Sequence, residues 1–203
     1  MPIIAFVVTL TATLGNLTVG DAGALNDVFS GTGIINLTAS ENEATIQIAT
    51  DADVETSRND TSTDGLIITS DKIDIDGTIT ASNTIVKIQP ALDADKIDLG
   101  SATDVAVNTL ELSDSELDAI TAGILRVGSS ASGDLEISSA VSSGATTTLS
   151  LITGGTITQT GTVTETNLAL SAAAAINMNQ NNTVDTLAAF ISGDASLTFN
   201  ESN

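Results

Sequence analysis

Two short stretches of this sequence set carboxylates around a lysine. In "SDKIDIDG" Asp71, Asp74 and Asp76 surround Lys72, and in "LDADKIDLG" Asp93, Asp95 and Asp98 surround Lys96. Clustered carboxylates beside a base are what acid–base cleavage of a sugar chain requires. Aromatic platforms for stacking sugars are scarce, because the chain has four Phe and no Trp or Tyr. Asp74 and Asp98 also form the middle of apolar–polar–apolar triplets, which turns them toward solvent on strands. Both stretches are therefore read as a solvated outer face. A third stretch, "DADVETSRNDTSTDG" from Asp51 to Gly65, carries four Asp, and hard cations such as calcium take several oxygen ligands. It lacks EF-hand spacing and the glycine–aspartate repeat of calcium rolls, and it is read as an ordinary loop. No catalytic, cofactor-binding or metal-ligating residue is assigned, and calcium is the one cofactor left open.

Composition narrows the chemistry further. There is no His and no Cys, which removes the commonest general base, thiolate chemistry, disulfides and sulfur-based zinc sites. The formal net charge is −21, with only Arg58, Lys72, Lys87, Lys96 and Arg126 as cations. Phosphate backbones demand clustered cations, so nucleic acid is not an expected partner. An anionic membrane surface is disfavoured for the same reason.

The elements that would position these residues repeat along the chain. Apolar–x–apolar triplets occur at Leu17–Val19, Ile46–Ile48, Ile73–Ile75, Val86–Ile88, Ile97–Leu99, Leu110–Leu112, Leu125–Val127 and Leu135–Ile137. They continue at Leu149–Leu151, Leu168–Leu170, Ile176–Met178 and Leu197–Phe199. Period-two alternation places the apolar members on one side and the middle residue on the other. Strands of three to five residues are expected, separated by Gly, Asn, Asp and Ser turns. From Ile73 to Leu149 the triplets recur every ten to fifteen residues. That rhythm suits a sandwich, a barrel or a solenoid. Tight hairpin signals such as Asn-Gly are missing and Asp76–Gly77 is not enough to supply them, and the apolar residues are thin and aliphatic. Both features favour a narrow parallel β-helix over a β-sandwich, with coils of roughly 20 to 35 residues rising about 4.8 Å each. Six to ten such coils would fit.

Three segments need separate treatment. "SDSELDAITAG" predicts a short helical excursion near 114–122, with Ser113 and Glu116 at capping-box spacing and Gly123 placed to end it. "SAAAAINMNQNN", from Ser171 to Asn182, reads as a strand preceded by small residues, because Asn177, Asn179 and Asn181 alternate with Ile176 and Met178. The apolar run Ile3–Val8 has no basic residues before it and is too short to cross a bilayer; it reads as a buried strand. Thr-x-Thr triplets at Thr78, Thr156 and Thr162 are too unevenly spaced to form a flat ice-binding rank.

The stretch "LELSDSELDAITAGILRVGSSASGDLEISSAV", followed by "LSLITGGTITQTGTVTETNLALSAAAAINMNQNNTVDTLAAF", resembles the repeat regions of giant filamentous-haemagglutinin-like secreted proteins of bacteria. The shared anchors are Leu112, Glu116, Leu117, Ile120, Thr121, Gly123, Leu125, Val127, Gly128, Gly133, Ile137, Leu151, Gly154, Gly155, Ile157, Gln159, Leu168, Asn179, Gln180, Leu187 and Ala188. The likeness covers Val86 to Phe199 well and the first eighty residues loosely. It implies an all-β, right-handed parallel β-helix, exported to the cell surface as a structural or adhesive fibre, without enzymatic activity. Residues 1–203 are accordingly read as a single solenoid segment, or one period of a longer array. Residues 1–85 form divergent coils, and 86–200 the haemagglutinin-like ones. The expected partners are neighbouring repeats or further copies stacked end to end, together with surface receptors that the sequence does not name. A self-assembling filament subunit is the first alternative, and a polysaccharide-acting β-helix enzyme the second.

Overall fold

The computed structural model describes residues 6–20 and 27–202. The first strands are β1 (Val8–Ala12), β2 (Leu17–Val19), β3 (Val28–Phe29), β4 (Ile35–Ala39), β5 (Thr45–Ile48) and β6 (Asp53–Glu55). The middle of the chain forms β7 (Asn59–Thr69), β8 (Lys72–Ile75), β9 (Thr78–Gln89), β10 (Lys96–Leu99) and β11 (Thr109–Leu112). A helix, α1 (Asp114–Asp118), then precedes β12 (Ile120–Gly128), β13 (Leu135–Ile137), β14 (Val141–Ser142), β15 (Ala145–Thr153) and β16 (Ile157–Gln159). The chain finishes with β17 (Val163–Ala172), β18 (Ile176–Ile191) and β19 (Leu197–Glu201).

The pairings among these strands are parallel, and non-consecutive strands lie side by side. This is a parallel β-helix, as expected from the triplets. The expected right hand agrees with the strong preference of parallel crossovers for that hand. Residues one coil apart sit directly above one another. On the first face an inward column runs Val8, Ile35, Leu66, Val86, Leu125, Leu149, Leu168 and Leu187. Beside it runs Leu10, Leu37, Ile68, Ile88, Val127, Leu151, Leu170 and Ala189. Away from the two ends these columns are almost entirely sealed from solvent. Eight rungs on this face define eight coils, inside the expected range.

The second face stacks β2, β5 and β8, then β11, β10, β13, β16, the start of β18, and β19. All twelve apolar triplets fall within strands of the first two faces. The third face is made by β3, β6 and the beginnings of β9, β12 and β17, with β14 beside β17.

The expected three-to-five-residue strands are too short for much of the chain. β9 has 12 residues and β18 has 16, because β9 turns from the third face onto the first and β18 runs from the second face round onto the first. At one such corner the register shifts between Ala122 and Ile124, and Gly123 sits there inside β12 rather than ending the helix. The Ile120–Thr121–Ala122 alternation captures these residues for the sheet, so α1 spans 114–118 and not 114–122. The segment 51–65 is likewise no simple loop, since it supplies β6 and the first part of β7. Of the Ile3–Val8 run, residues 3–5 lie outside the described residues; Phe6 and Val7 are exposed, and the strand begins at Val8. The segment 171–182 is strand as expected, with Ile176 and Met178 buried and Asn177 and Asn179 outside.

Near the C-terminal coils a pair of buried amides interrupts the aliphatic filling. Asn182 is fully buried and exchanges hydrogen bonds with Gln159 in both directions, at 2.9 and 3.0 Å. It also accepts from the Val163 N–H at 3.0 Å and donates to the Asn200 carbonyl at 3.0 Å. A buried amide is tolerated when its donors and acceptors are matched in this way.

Leu125 stands in mid-column with complete burial. Leu125→Ala should lower stability by about 2–5 kcal/mol, the range for a buried leucine that leaves a cavity, measured by urea unfolding followed by far-ultraviolet circular dichroism. A loss under about 1 kcal/mol would mean the column is not closely packed.

Candidate functional site

The carboxylate–lysine stretches converge where the ladder is broken. The fourth coil places two rungs on the second face instead of one. From β9 the chain enters β10, overshoots by one rung, returns through residues 100–108, and lays β11 beneath β10 in parallel register. Gly100 makes the reversal possible: its φ is +94°, and an added Cβ would lie 2.8 Å from the Ser139 nitrogen. Its N–H donates to the Leu112 carbonyl at 2.7 Å. As a result β8 pairs in the ladder with β5 alone, and β11 with β10 alone. Their facing edges do not form a ladder with each other.

Side chains bridge that gap. Lys72, on β8, is buried, and its ammonium donates to the carbonyls of Ala106 and, at 3.3 Å, Thr109. The same nitrogen lies 3.5 Å from Glu43 Oε2 and 3.7 Å from Glu111 Oε2. Glu111 is sealed beneath the 100–108 loop, accepting from Ser101 Oγ at 2.6 Å and from the Ala106 N–H at 2.7 Å. At the other end of the gap Glu116 caps both sides. Its Oε2 accepts the Ser113 N–H at 2.8 Å while Ser113 Oγ accepts the Glu116 N–H at 3.3 Å, the expected capping box. Its Oε1 accepts the Ile75 N–H of β8 at 3.2 Å, where a ladder carbonyl would otherwise stand.

The expectation that both stretches are solvated therefore fails for Asp71, Lys72 and Asp95. Asp71 has no exposed surface and Asp95 is 7% exposed. Asp71 lies in the turn before β8, where it accepts the backbone N–H groups of Glu43, at 3.1 Å, and Ala91, at 2.9 Å. Desolvation, then the charge and hydrogen bond of Asp71, push the Asp95 carboxyl up to about 6. Asp74 and Asp98 do point outward as expected. In stacking order they join Glu111 and Glu136 in a single outer column: Asp74 on one side of the gap, then Glu111, Asp98 and Glu136. Like charges directly opposite repel. Asp98 is raised above the usual carboxylate range, first by desolvation and further by Glu111. No periodicity argument separates Asp71 from Asp74, because what decides their fate is the second rung.

Beside the gap lies an open cleft of about 410 Å³ whose lining includes Asp74, Asp76, Asp104, Ser113 and Glu116. Asp104 is exposed as a residue, but its carboxyl is crowded in the cleft. Desolvation, then Glu116 and Glu111, push it up to about 7. The four Asp of 51–65 go elsewhere: Asp60 accepts from Ser62, Thr63 and Arg58, Asp64 pairs with Arg126 at 2.8 Å, Asp53 accepts from Thr78, and Asp51 is exposed. Among the described residues no three acidic side chains are arranged to hold a metal ion. Comparison with protein-family models, curated proteins and solved structures returns no match.

Two outcomes follow from the charges. Lys72→Met should cost about 3–5 kcal/mol, the range for removing one partner of a buried pair, and Glu111→Gln in the same chain should recover part of the loss in urea unfolding. Raised carboxyls bind a proton more tightly folded than unfolded, so their stabilisation is complete below the unfolded value near 3.8 and disappears as pH rises through about 6 and 7. The urea midpoint should thus be higher at pH 5 than at pH 8, and Asp104→Asn should raise it at both, by clearly more at pH 8 than at pH 5.

Proposed function

We propose that this chain is a structural and adhesive stretch of a secreted surface fibre. The observation that carries the reading is the pair of aliphatic columns that run through all eight rungs of the first face without a polar interruption. A parallel ladder of this kind is stiff along its axis, since each rung shares backbone hydrogen bonds with the next. Eight rungs at about 4.8 Å give an axial length of roughly 40 Å. Repetition of such units holds many weak contact surfaces away from the cell and multiplies their avidity. The resemblance to haemagglutinin-like repeats supports the same role, and the acidic coat suits an exposed, hydrated surface. No reaction is assigned, and calcium has no role in this reading. Of the carboxylates that a polysaccharide-acting enzyme would draw on, Asp71 and Asp95 are sealed under neighbouring turns.

A filament subunit stacking head to tail is the second reading. It is favoured by apolar residues exposed around both terminal rungs: Phe6, Val7 and Leu14 at one end, Leu187, Phe190 and Leu197 at the other. Open strand edges of this kind pair readily with another chain.

Antibody against the folded chain should label intact producing cells from outside, and external protease should remove the label. Labelling only after permeabilisation would overturn the surface role. Purified chain should sediment as short rods if the fibre is one long polypeptide. Growth into filaments above micromolar concentration would select the second reading.

A further inference from the structure

The gap between β8 and β11 is the place on the second face where adjacent rungs are joined by side chains rather than by backbone. We propose that it is a proton-controlled joint, closed when Asp95 is protonated and loosened when Asp95 is ionised. The inference is independent of the surface role.

Three observations meet at this point. The first is the missing ladder, which leaves Lys72 and Glu116 as the fasteners. The second is an unpartnered oxygen. Asp95 is more than nine-tenths buried, yet its Oδ2 has no hydrogen-bond donor. Its neighbour is the Asp71 carboxylate, whose two oxygens already accept from Glu43 and Ala91. A carboxylate oxygen facing another carboxylate finds a partner only by carrying a proton and donating it. The third is the backbone. Glu43, Ala94 and Asn108 have positive φ values of 59°, 66° and 52°, and they belong to the turns that wrap this cluster. A side chain with a Cβ is disfavoured in that region, so the turns are held there by the contacts they make. Asn108 donates its N–H to Glu43 Oε1 at 2.6 Å, and Ala94 donates to the Ala131 carbonyl at 2.7 Å.

The groups that face Asp95 are Asp71 from the turn before β8, Glu43 from the turn before β5, and Lys72 from β8. The loop packed on its other side, Ser129 to Gly133, carries no titratable group, and Gly133 donates to the Asp95 carbonyl at 2.7 Å. With Asp95 protonated, one proton joins Asp95 to Asp71 and leaves Lys72 to balance Glu43 and Glu111. With Asp95 ionised, four carboxylates crowd a single ammonium, and the cheapest relief is to let water in between β8 and β11. Acid therefore closes the joint, and alkali frees the three-stranded part, β2, β5 and β8, to move against the rest of the second face.

Hydrogen exchange of the full chain tests this, with rates corrected for the intrinsic effect of pH. Peptides covering 72–76 and 109–112 should lose about tenfold in protection between pH 5 and pH 8. That is the factor expected when a carboxyl of about 6 closed and 3.8 open is carried across that range. Peptides covering 149–151 should not change by the same factor. Asp95→Asn should retain the pH 5 protection at pH 8. Uniform change across the molecule, or an unaltered pH response in the variant, would overturn the joint. Carbon-13 titration of the Asp95 carboxyl in the unsubstituted chain is a second reading: a midpoint near 6 supports the proposal, and one in the ordinary aspartate range sinks it.

Discussion

In a parallel ladder in register, every inward side chain rests on the equivalent residue of the coil below and supports the one above. That stacking constraint governs this molecule. Columns of like residues must share one width, so the filling is Leu, Ile, Val and Ala with few aromatics. A residue much wider than its neighbours would force two rungs apart and break the backbone bonds on either side. The same rule explains why the buried amides of the final coils, Asn182 and Gln159, lie against each other rather than against the aliphatic columns.

Stacking also brings outward residues together, and there it is unfavourable. Glu111, Asp98 and Glu136 fall directly opposite one another, with a single ammonium, Lys72, close to Glu111. An acidic chain avoids the cost where it can, by seating carboxylates on backbone N–H groups or hydroxyls. Asp134 shows the favourable case: the N–H and hydroxyl of Thr156 hold it below the usual carboxylate range. Glu165 shows the reverse, because burial outweighs its bonds to Ser143 and raises it. The junction at β8 and β11 concentrates this tension in one place, because an extra rung on one face cannot be matched on the other two. The ladder must open there, and charged side chains fill the opening.

Much of the architecture was legible in the residues. The triplets located twelve strands and the inward residue of each, because a period of two needs only local sequence. Ser113 and Glu116 announced the helix start through a contact three residues long. Strand lengths were not legible, since a strand that rounds a corner looks like two strands until the corner is seen; β9 and β18 are such cases. The helix end was misread for a related reason. Gly123 is a natural terminator, but at that point it relieves crowding where β12 turns against Thr84 and Thr61.

By itself the sequence determined the class of fold, the thin core and the acidic exterior, because each depends on residue type and local period alone. It did not determine that Asp71, Asp95 and Lys72 would be buried. Lys72 and Lys96 occupy equivalent places in nearly identical stretches, yet the first is sealed and the second exposed. Their difference arises from the order in which rungs stack: β11 returns beneath β10 and covers Lys72, and that order is a property of the three-dimensional path, set by contacts between residues 34 to 65 positions apart.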